Sequence, residues 1–222
     1  MGFAPRGACL DRLSCGCYDG TEEETGKEEA TDMEPALITR NGILVCGLNG
    51  SGKSTLGRAL AASLGWRFWD AEDFVFPKSD PGAPYAEPLS RGEAERLLRE
   101  ALRACDGFVF ASVKGDWGEA LLERLRLAVL VEVPRGVRLE RVRLRSRAQF
   151  GDRMLPGGDL EQREEAFFRM VEARPEDAVE AWLPALRCPL LRVDGALPPE
   201  VNIRLIRARL AGLGAVESEG TP

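Results

Sequence analysis

Residues 42–58, Gly-Ile-Leu-Val-Cys-Gly-Leu-Asn-Gly-Ser-Gly-Lys-Ser-Thr-Leu-Gly-Arg, constrain everything else in the chain. Ile43 to Cys46 is a short apolar run and reads as a buried strand. Gly47-x4-Gly52-Lys53-Ser54 follows at once. Thr55 to Leu64 then carries apolar residues at helical spacing, with Leu56, Ala59, Leu60 and Leu64 on one stripe. A strand, a glycine loop and a helix in that order make a phosphate cradle. Glycines let the backbone wrap a polyphosphate with its N–H groups inward, and the new helix points its positive dipole end at the same anion. Lys53 can then reach the outer phosphates and the Ser54 hydroxyl can ligate Mg²⁺. Gly47, Asn49, Gly50, Ser51, Gly52, Lys53, Ser54 and Thr55 are therefore the candidate nucleotide-binding set.

Downstream, apolar strands alternate with helical patterns. Trp66 to Asp70 reads as a second strand, Gly107 to Ala111 as a third, Leu127 to Val133 as a fourth and Leu190 to Val193 as a fifth. Ser90-Arg-Gly-Glu93 is a capping box that opens a helix reaching about Ala104. Further helices are expected over Gly118–Leu125, Gly136–Gln149, Leu160–Ala173, Glu176–Leu186 and Pro199–Leu210. Strands that are continuously apolar are covered on both faces, so the fold class is α/β, a parallel sheet between helix layers. Phe150 to Asp159 is a glycine-rich excursion, and the stretch at about 146–175 reads as a lid over the sheet. The domain is expected over 41–211. Residues 1–40 read as an acidic, disordered tail and 212–222 as a second tail.

Charge and composition exclude several classes. The net charge of −6 is concentrated in residues 1–40, which hold nine acids and four bases, leaving −1 for the remainder. A near-neutral globular part makes no electrostatic case for nucleic acid. No histidine is present, which excludes Ser-His and Cys-His catalytic pairs and His-ligated metals. Cys46, Cys105 and Cys188 lie in or beside apolar stretches and read as reduced thiols, while Cys9, Cys15 and Cys17 lack a second ligand cluster for a metal. No apolar run reaches the ~20 residues of a membrane span, and no secretory leader pattern is seen. The expected location is cytoplasmic, with no membrane partner, as a monomer or homodimer.

In such sheets ligands sit beyond the carboxyl ends of the strands. Three polar clusters fall there: Gly47 to Thr55, Asp70 to Asp73, and Ser112 to Asp116. Phosphoryl transfer needs the cradle, a metal, cations for the developing charge and a group that orients the acceptor. Of Asp70 and Asp73, one can hold Mg²⁺ and the other can accept a hydrogen bond from an acceptor hydroxyl. Ser54 and Asp70 are the candidate metal pair. Lys114 can meet an anionic acceptor or the moving phosphoryl group, and Asp116 is expected to cap the next helix. Arg138, Arg141 and Arg145 share one helix face, and Arg153 follows in the glycine-rich segment, so arginines on a flap can close over phosphates. Asp194-Gly195, after the last strand, is placed to floor a purine. Lys53, Asp70, Asp73, Lys114 and Arg145 are the candidate catalytic residues.

These features resemble the small P-loop kinases, the shikimate, gluconate and adenylate kinases and their relatives, over about residues 42–211. Gly47-Leu-Asn-Gly-Ser-Gly-Lys-Ser-Thr55 resembles their Walker A phosphate loop. Phe68-Trp-Asp-Ala-Glu-Asp73 is similar to the acidic turn of shikimate and gluconate kinases, and Ser112-Val-Lys114 to a serine–lysine stretch of gluconate kinases. Arg141-x3-Arg145 is similar to the paired lid arginines of adenylate kinases, whose later arginine would be Arg169 or Arg174. Asp194-Gly195 resembles the loop that borders the adenine. The glycine motif of shikimate kinases after the third strand is missing, and so is the Asp-Gly-Phe-Pro-Arg stretch of adenylate kinases. The resemblance implies a three-layer P-loop NTPase fold with strand order 2-3-1-4-5, ATP and Mg²⁺ as cofactors, and transfer of the γ-phosphate to a small hydroxylated acceptor. A nucleotide-binding regulatory module with little transfer activity and a nucleoside monophosphate kinase are the alternatives.

Overall fold

The computed structural model describes residues 40–76 and 88–217. The acidic tail, Cys9, Cys15 and Cys17 lie outside the described residues.

Five parallel strands form one sheet in the order β2-β3-β1-β4-β5, as the resemblance implied. β1 (Gly42–Cys46) runs between β3 (Phe108–Ser112) and β4 (Leu125–Glu132). β2 (Arg67–Asp70) pairs outside β3, and β5 (Leu190–Asp194) outside β4. Alternation along β1 feeds two cores. Ile43 and Val45 pack with Leu56 and Leu60 of α1 (Lys53–Leu64), Val129, and Ile206 of α7 (Pro199–Glu217). Leu44 and Cys46 pack on the other face with Leu98 and Leu102 of α3 (Arg91–Arg103), Phe110, and Leu121 of α4 (Glu119–Arg124). Each fully buried side chain contributes about 1.5–3 kcal/mol, which is why a strand with no polar position is stable only inside two helix layers.

The Ser90–Glu93 capping box forms with reciprocal bonds, Ser90 N–H to Glu93 Oε2 at 3.0 Å and Glu93 N–H to Ser90 Oγ at 3.4 Å. α5 (Arg135–Phe150) and α6 (Glu161–Ala173) pack against each other, joined by a 3₁₀ turn at Gly151–Met154 and further hydrogen-bonded turns. The glycine-rich segment is thus a compact helical connection, closed by Arg153 on Asp159.

Three expectations are corrected. The helix expected over Glu176–Leu186 is only a 3₁₀ stretch, Glu180–Ala185, because Pro184 lacks an N–H donor inside it. α7 runs on to Glu217, past the expected end at Leu210. Asp116 does not cap α4. Gly118 holds that position, and the Asp116 carboxylate faces Arg91 at 3.6 Å.

Candidate functional site

The glycine loop joins β1 to α1 and is fixed by its neighbours. Gly50 has φ of +80°, and a Cβ there would come within 2.2 Å of the Arg138 carbonyl oxygen. Arg138 itself is buried. It donates to the Asn49 carbonyl oxygen (3.4 Å), to the Val133 carbonyl oxygen (3.2 Å) and to both Glu176 oxygens (2.6 and 2.7 Å). Of the expected arginine stripe, Arg138 therefore clamps the loop from behind rather than facing a phosphate.

α1 begins at Lys53, so its first-turn N–H groups and the lysine share one direction. Loss of water lowers the Lys53 pKa; Asp70 and Glu72 oppose that shift, and Arg145 and Arg174 add to it. The Ser54 hydroxyl donates to Asp70 Oδ2 at 2.5 Å. Asp70 ends β2 and caps α2 (Ala71–Val75), its Oδ1 accepting from the Glu72 N–H at 3.1 Å. Asp73 completes this capping box by accepting from the Asp70 N–H at 3.0 Å, so its carboxylate turns back onto the backbone. Glu72, next to Asp73, lines the cleft beside Asp70, a role that the motif spacing did not single out. Glu72 is an exposed residue whose carboxyl is nonetheless partly drawn out of water by the protein around it. That desolvation, and then the Asp70 charge, raises its pKa.

Among the cavities that meet the loop in the described residues, three are the larger ones. A cleft of about 620 Å³ is lined by Lys53, Asp70, Glu72, Lys114, Asp116 and Arg174, among others. Ser112 also lines it, though its Oγ accepts from Trp117 Nε1 at 2.9 Å. A second cavity of about 400 Å³ lies between the end of α5 and α6, with Asn49, Glu72, Arg145 and Arg174 on its walls. A third, of about 250 Å³, is lined by Ser51, Gly52, Thr55, Arg141, Gly195 and Asn202. Arg141 donates to the Gly195 carbonyl oxygen at 3.0 Å. Gly195 packs so closely that a Cβ would meet the Ser51 carbonyl oxygen at 2.5 Å. Asn202 is buried, and its Nδ2 donates to the Asp194 carbonyl oxygen at 2.8 Å. A carbonyl only accepts, so this bond leaves Oδ1 without a partner among the described residues.

Asp73, Arg153, Arg169 and Asp194 line none of these three cavities. Asp194 Oδ1 accepts from the Ala196 N–H and shapes the turn. Arg153 pairs with Asp159 and Arg169 with Glu165. Between the two candidates for the later arginine, Arg174 reaches the loop, donating to Asn49 Oδ1 at 2.8 Å. Its partial burial lowers its pKa. Among the described residues no cluster of three or more acids or thiols could hold a metal. Ser54 and Asp70 instead form a pair of hard oxygen donors beside the loop, a set that fits Mg²⁺, which keeps several waters and shares phosphate oxygens.

Residues 43–169 match the family model of the AAA domain, more than half of the chain. The chain belongs to the AAA-domain family. YqaC of Bacillus subtilis (strain 168), an uncharacterized protein, is 25% identical over 163 residues, 70% of this chain and 89% of that one. The shikimate kinase of Saccharopolyspora erythraea is 40% identical over 98 residues, 41% of this chain and 52% of the enzyme, so this AAA-domain chain spans about half of that enzyme's length. A putative kinase from Chloroflexus aurantiacus shares the fold, with a TM-score of 0.50 at 20% identity, covering 79% of this chain and 98% of that one. The chain is P-loop kinase-like. No helix among the described residues is long and apolar enough to cross a membrane.

Proposed function

We propose that this chain is an ATP- and Mg²⁺-dependent kinase that transfers the γ-phosphoryl group to the hydroxyl of a small metabolite. The observation that carries the reading is the 620 Å³ cleft, in which Lys53, Asp70 and Glu72 meet beside the end of the glycine loop. A site built only to hold nucleotide has no use for that second space.

The residues divide as follows. The loop N–H groups and Lys53 hold the outer phosphates, and the third cavity takes the purine beside Arg141. Ser54 and Asp70 would hold Mg²⁺, which would neutralise the phosphate charge that develops during transfer. Glu72, with its raised pKa, receives the acceptor hydroxyl's proton as the new O–P bond forms and the bridging O–P bond to ADP breaks. Arg145 and Arg174 stabilise the charge on the moving group, and Lys114 orients an anionic part of the acceptor.

The test is ADP release measured across a pool of small hydroxylated metabolites. Acceptor-dependent release in wild type, reduced about 10²–10³-fold in Lys53→Ala with the fold retained by circular dichroism, is the expected result. Tight ATP binding that no acceptor accelerates would favour a regulatory nucleotide-binding module. Release unchanged in Lys53→Ala would sink the site assignment.

A further inference from the structure

Two arginines line the cleft, and they are held differently. Arg91 pairs with Glu95 at 2.7 Å and faces Asp116 at 3.6 Å. Arg174 has no carboxylate partner among the described residues. Its Nη1 donates to Asn49 Oδ1 at 2.8 Å and its Nη2 to the Met170 sulfur at 3.3 Å, both uncharged acceptors. These bonds leave the guanidinium with donors to spare and its charge unmatched, half-buried in a cleft that also holds Lys53.

The backbone explains how Arg174 gets there. A residue before proline is pushed out of the helical region, and Arg174, ahead of Pro175, has φ of −67° and ψ of 126°. α6 therefore ends at Ala173. The segment that follows grips Asn49 twice. Arg174 takes its side chain. Glu176 holds Arg138, whose Nη1 donates to the Asn49 carbonyl oxygen at 3.4 Å.

Resting on the kinase reading, we propose that Asn49 is the positioning residue that presents Arg174, as an unneutralised cation, to the terminal phosphate of the bound nucleotide. The residue type matters. A carboxylate at this position would grip the guanidinium more tightly but cancel the charge that the phosphoryl group needs. An apolar side chain would leave the arginine free to turn to Glu72, which lines both of the cavities that Arg174 lines. An amide oxygen fixes the direction and leaves the charge in place. Because the main chain of Asn49 belongs to the phosphate loop, cation and cradle keep one geometry.

Asn49→Ala, Arg174→Ala and the double variant, each in the full chain, test this without any acceptor. The readout is calorimetric binding, with Mg²⁺, of ADP and of adenylyl imidodiphosphate, an ATP analogue that carries the terminal phosphate. Wild type binds the analogue more tightly than ADP. That preference falls about tenfold or more in Arg174→Ala and by a similar factor in Asn49→Ala, while ADP affinity holds. The double variant loses no more than Arg174→Ala, because a residue that acts only through Arg174 has nothing left to act on. Arg138 still holds the main chain in Asn49→Ala, so its thermal midpoint falls by only about 2–4 °C. Losses that add in the double variant would mean that Asn49 shapes the loop itself, and would overturn the proposal. Equal weakening of ADP and the analogue in Asn49→Ala, an unchanged preference, or a midpoint far below that of Arg174→Ala would overturn it as well. An analogue that wild type binds no better than ADP would show that Arg174 does not meet the terminal phosphate. Wild type that binds neither nucleotide would sink the kinase reading and the proposal together, an outcome distinct from all the others, which require binding.

Discussion

Two neighbouring acids, Glu72 and Asp73, do different work. Asp70-Ala-Glu-Asp73 has the spacing of a capping box, which commits the residue three positions on to the backbone of the cap. That spacing was the available signal that Asp73 would turn away from the cleft. It was outweighed by the expectation that any acid after a strand faces the ligand. Lys53, Ser54 and Asp70 were legible because the loop pattern and strand end fix their positions. Asn202 was not, because a buried polar residue inside an amphipathic helix looks like its exposed neighbours until the packing is known. The two acids are separable by measurement. Glu72→Gln lowers kcat by about 10²–10⁴-fold and removes the acid-side limb of the pH–rate profile. That limb is shifted upward because desolvation and the Asp70 charge raise the Glu72 pKa. Asp73→Asn leaves kcat in place and lowers stability by about 0.3–1.5 kcal/mol. Stability carries its own sign. A raised folded-state pKa means the native chain binds more protons than the unfolded one between the two values, so this contribution falls as pH rises through that window. Thermal midpoints recorded against pH decline there in wild type and flatten in Glu72→Gln. A wild-type rate profile without a raised acid limb would remove Glu72 from the proton-accepting role.

At the scale of elements, α5 is the piece whose face was readable and whose job was not. The spacing of Arg138, Arg141 and Arg145 placed them on one helix face. Which of them reaches a phosphate depends on what stands opposite, and Glu176 lies 38 residues away in sequence. The pairing makes Arg138 a brace between the glycine loop and the segment after α6. Glu176 is about half exposed, so its charge contributes less than that of a fully buried partner. Removing it still leaves a buried guanidinium with only carbonyl acceptors. Glu176→Ala is expected to cost about 1–3 kcal/mol in urea unfolding and to weaken ATP binding several-fold, because the Asn49 carbonyl loses its anchor. A neutral effect on both would show that Val133 and Asn49 alone hold the arginine. The strands were legible for a simpler reason. β1, β3 and most of β4 are apolar runs buried on both faces, whereas the edge strands β2 and β5 are only partly buried and carry Arg67 and Arg192. The stretch after Pro175 was misjudged because Pro184 falls inside it, and its acids Glu176 and Glu180 turn to Arg138 and Arg192.

For the whole molecule, the sheet order decides what can meet. β1 lies at the centre, so its loop has the β3 cluster on one side and the β5 turn on the other, and residues 150 positions apart share one edge. The base cavity shows the consequence. It joins Gly52 and Thr55 from α1's start, Arg141 from α5, Gly195 after β5 and Asn202 from α7. Among the described residues, Asn202 Oδ1 and Ser51 Oγ are both buried there without hydrogen-bond partners, the Asn202 amide nitrogen being held by the Asp194 carbonyl. A purine with its amino group at C6, as in adenine, can donate to the Asn202 oxygen, whereas the C6 carbonyl of guanine in the same place would oppose it. Ligand that binds only the folded state raises stability by about 2.7 kcal/mol at a hundred times its Kd, which for a chain this size moves the thermal midpoint by about 5–11 °C. ATP with Mg²⁺ is therefore expected to raise the midpoint more than GTP does at equal concentration. Asn202→Leu should narrow the gap chiefly by weakening ATP, while Lys53→Ala lowers both nucleotides together. Equal shifts for ATP and GTP in wild type would mean that the Asn202 oxygen does not meet the base, and that the third cavity holds it some other way.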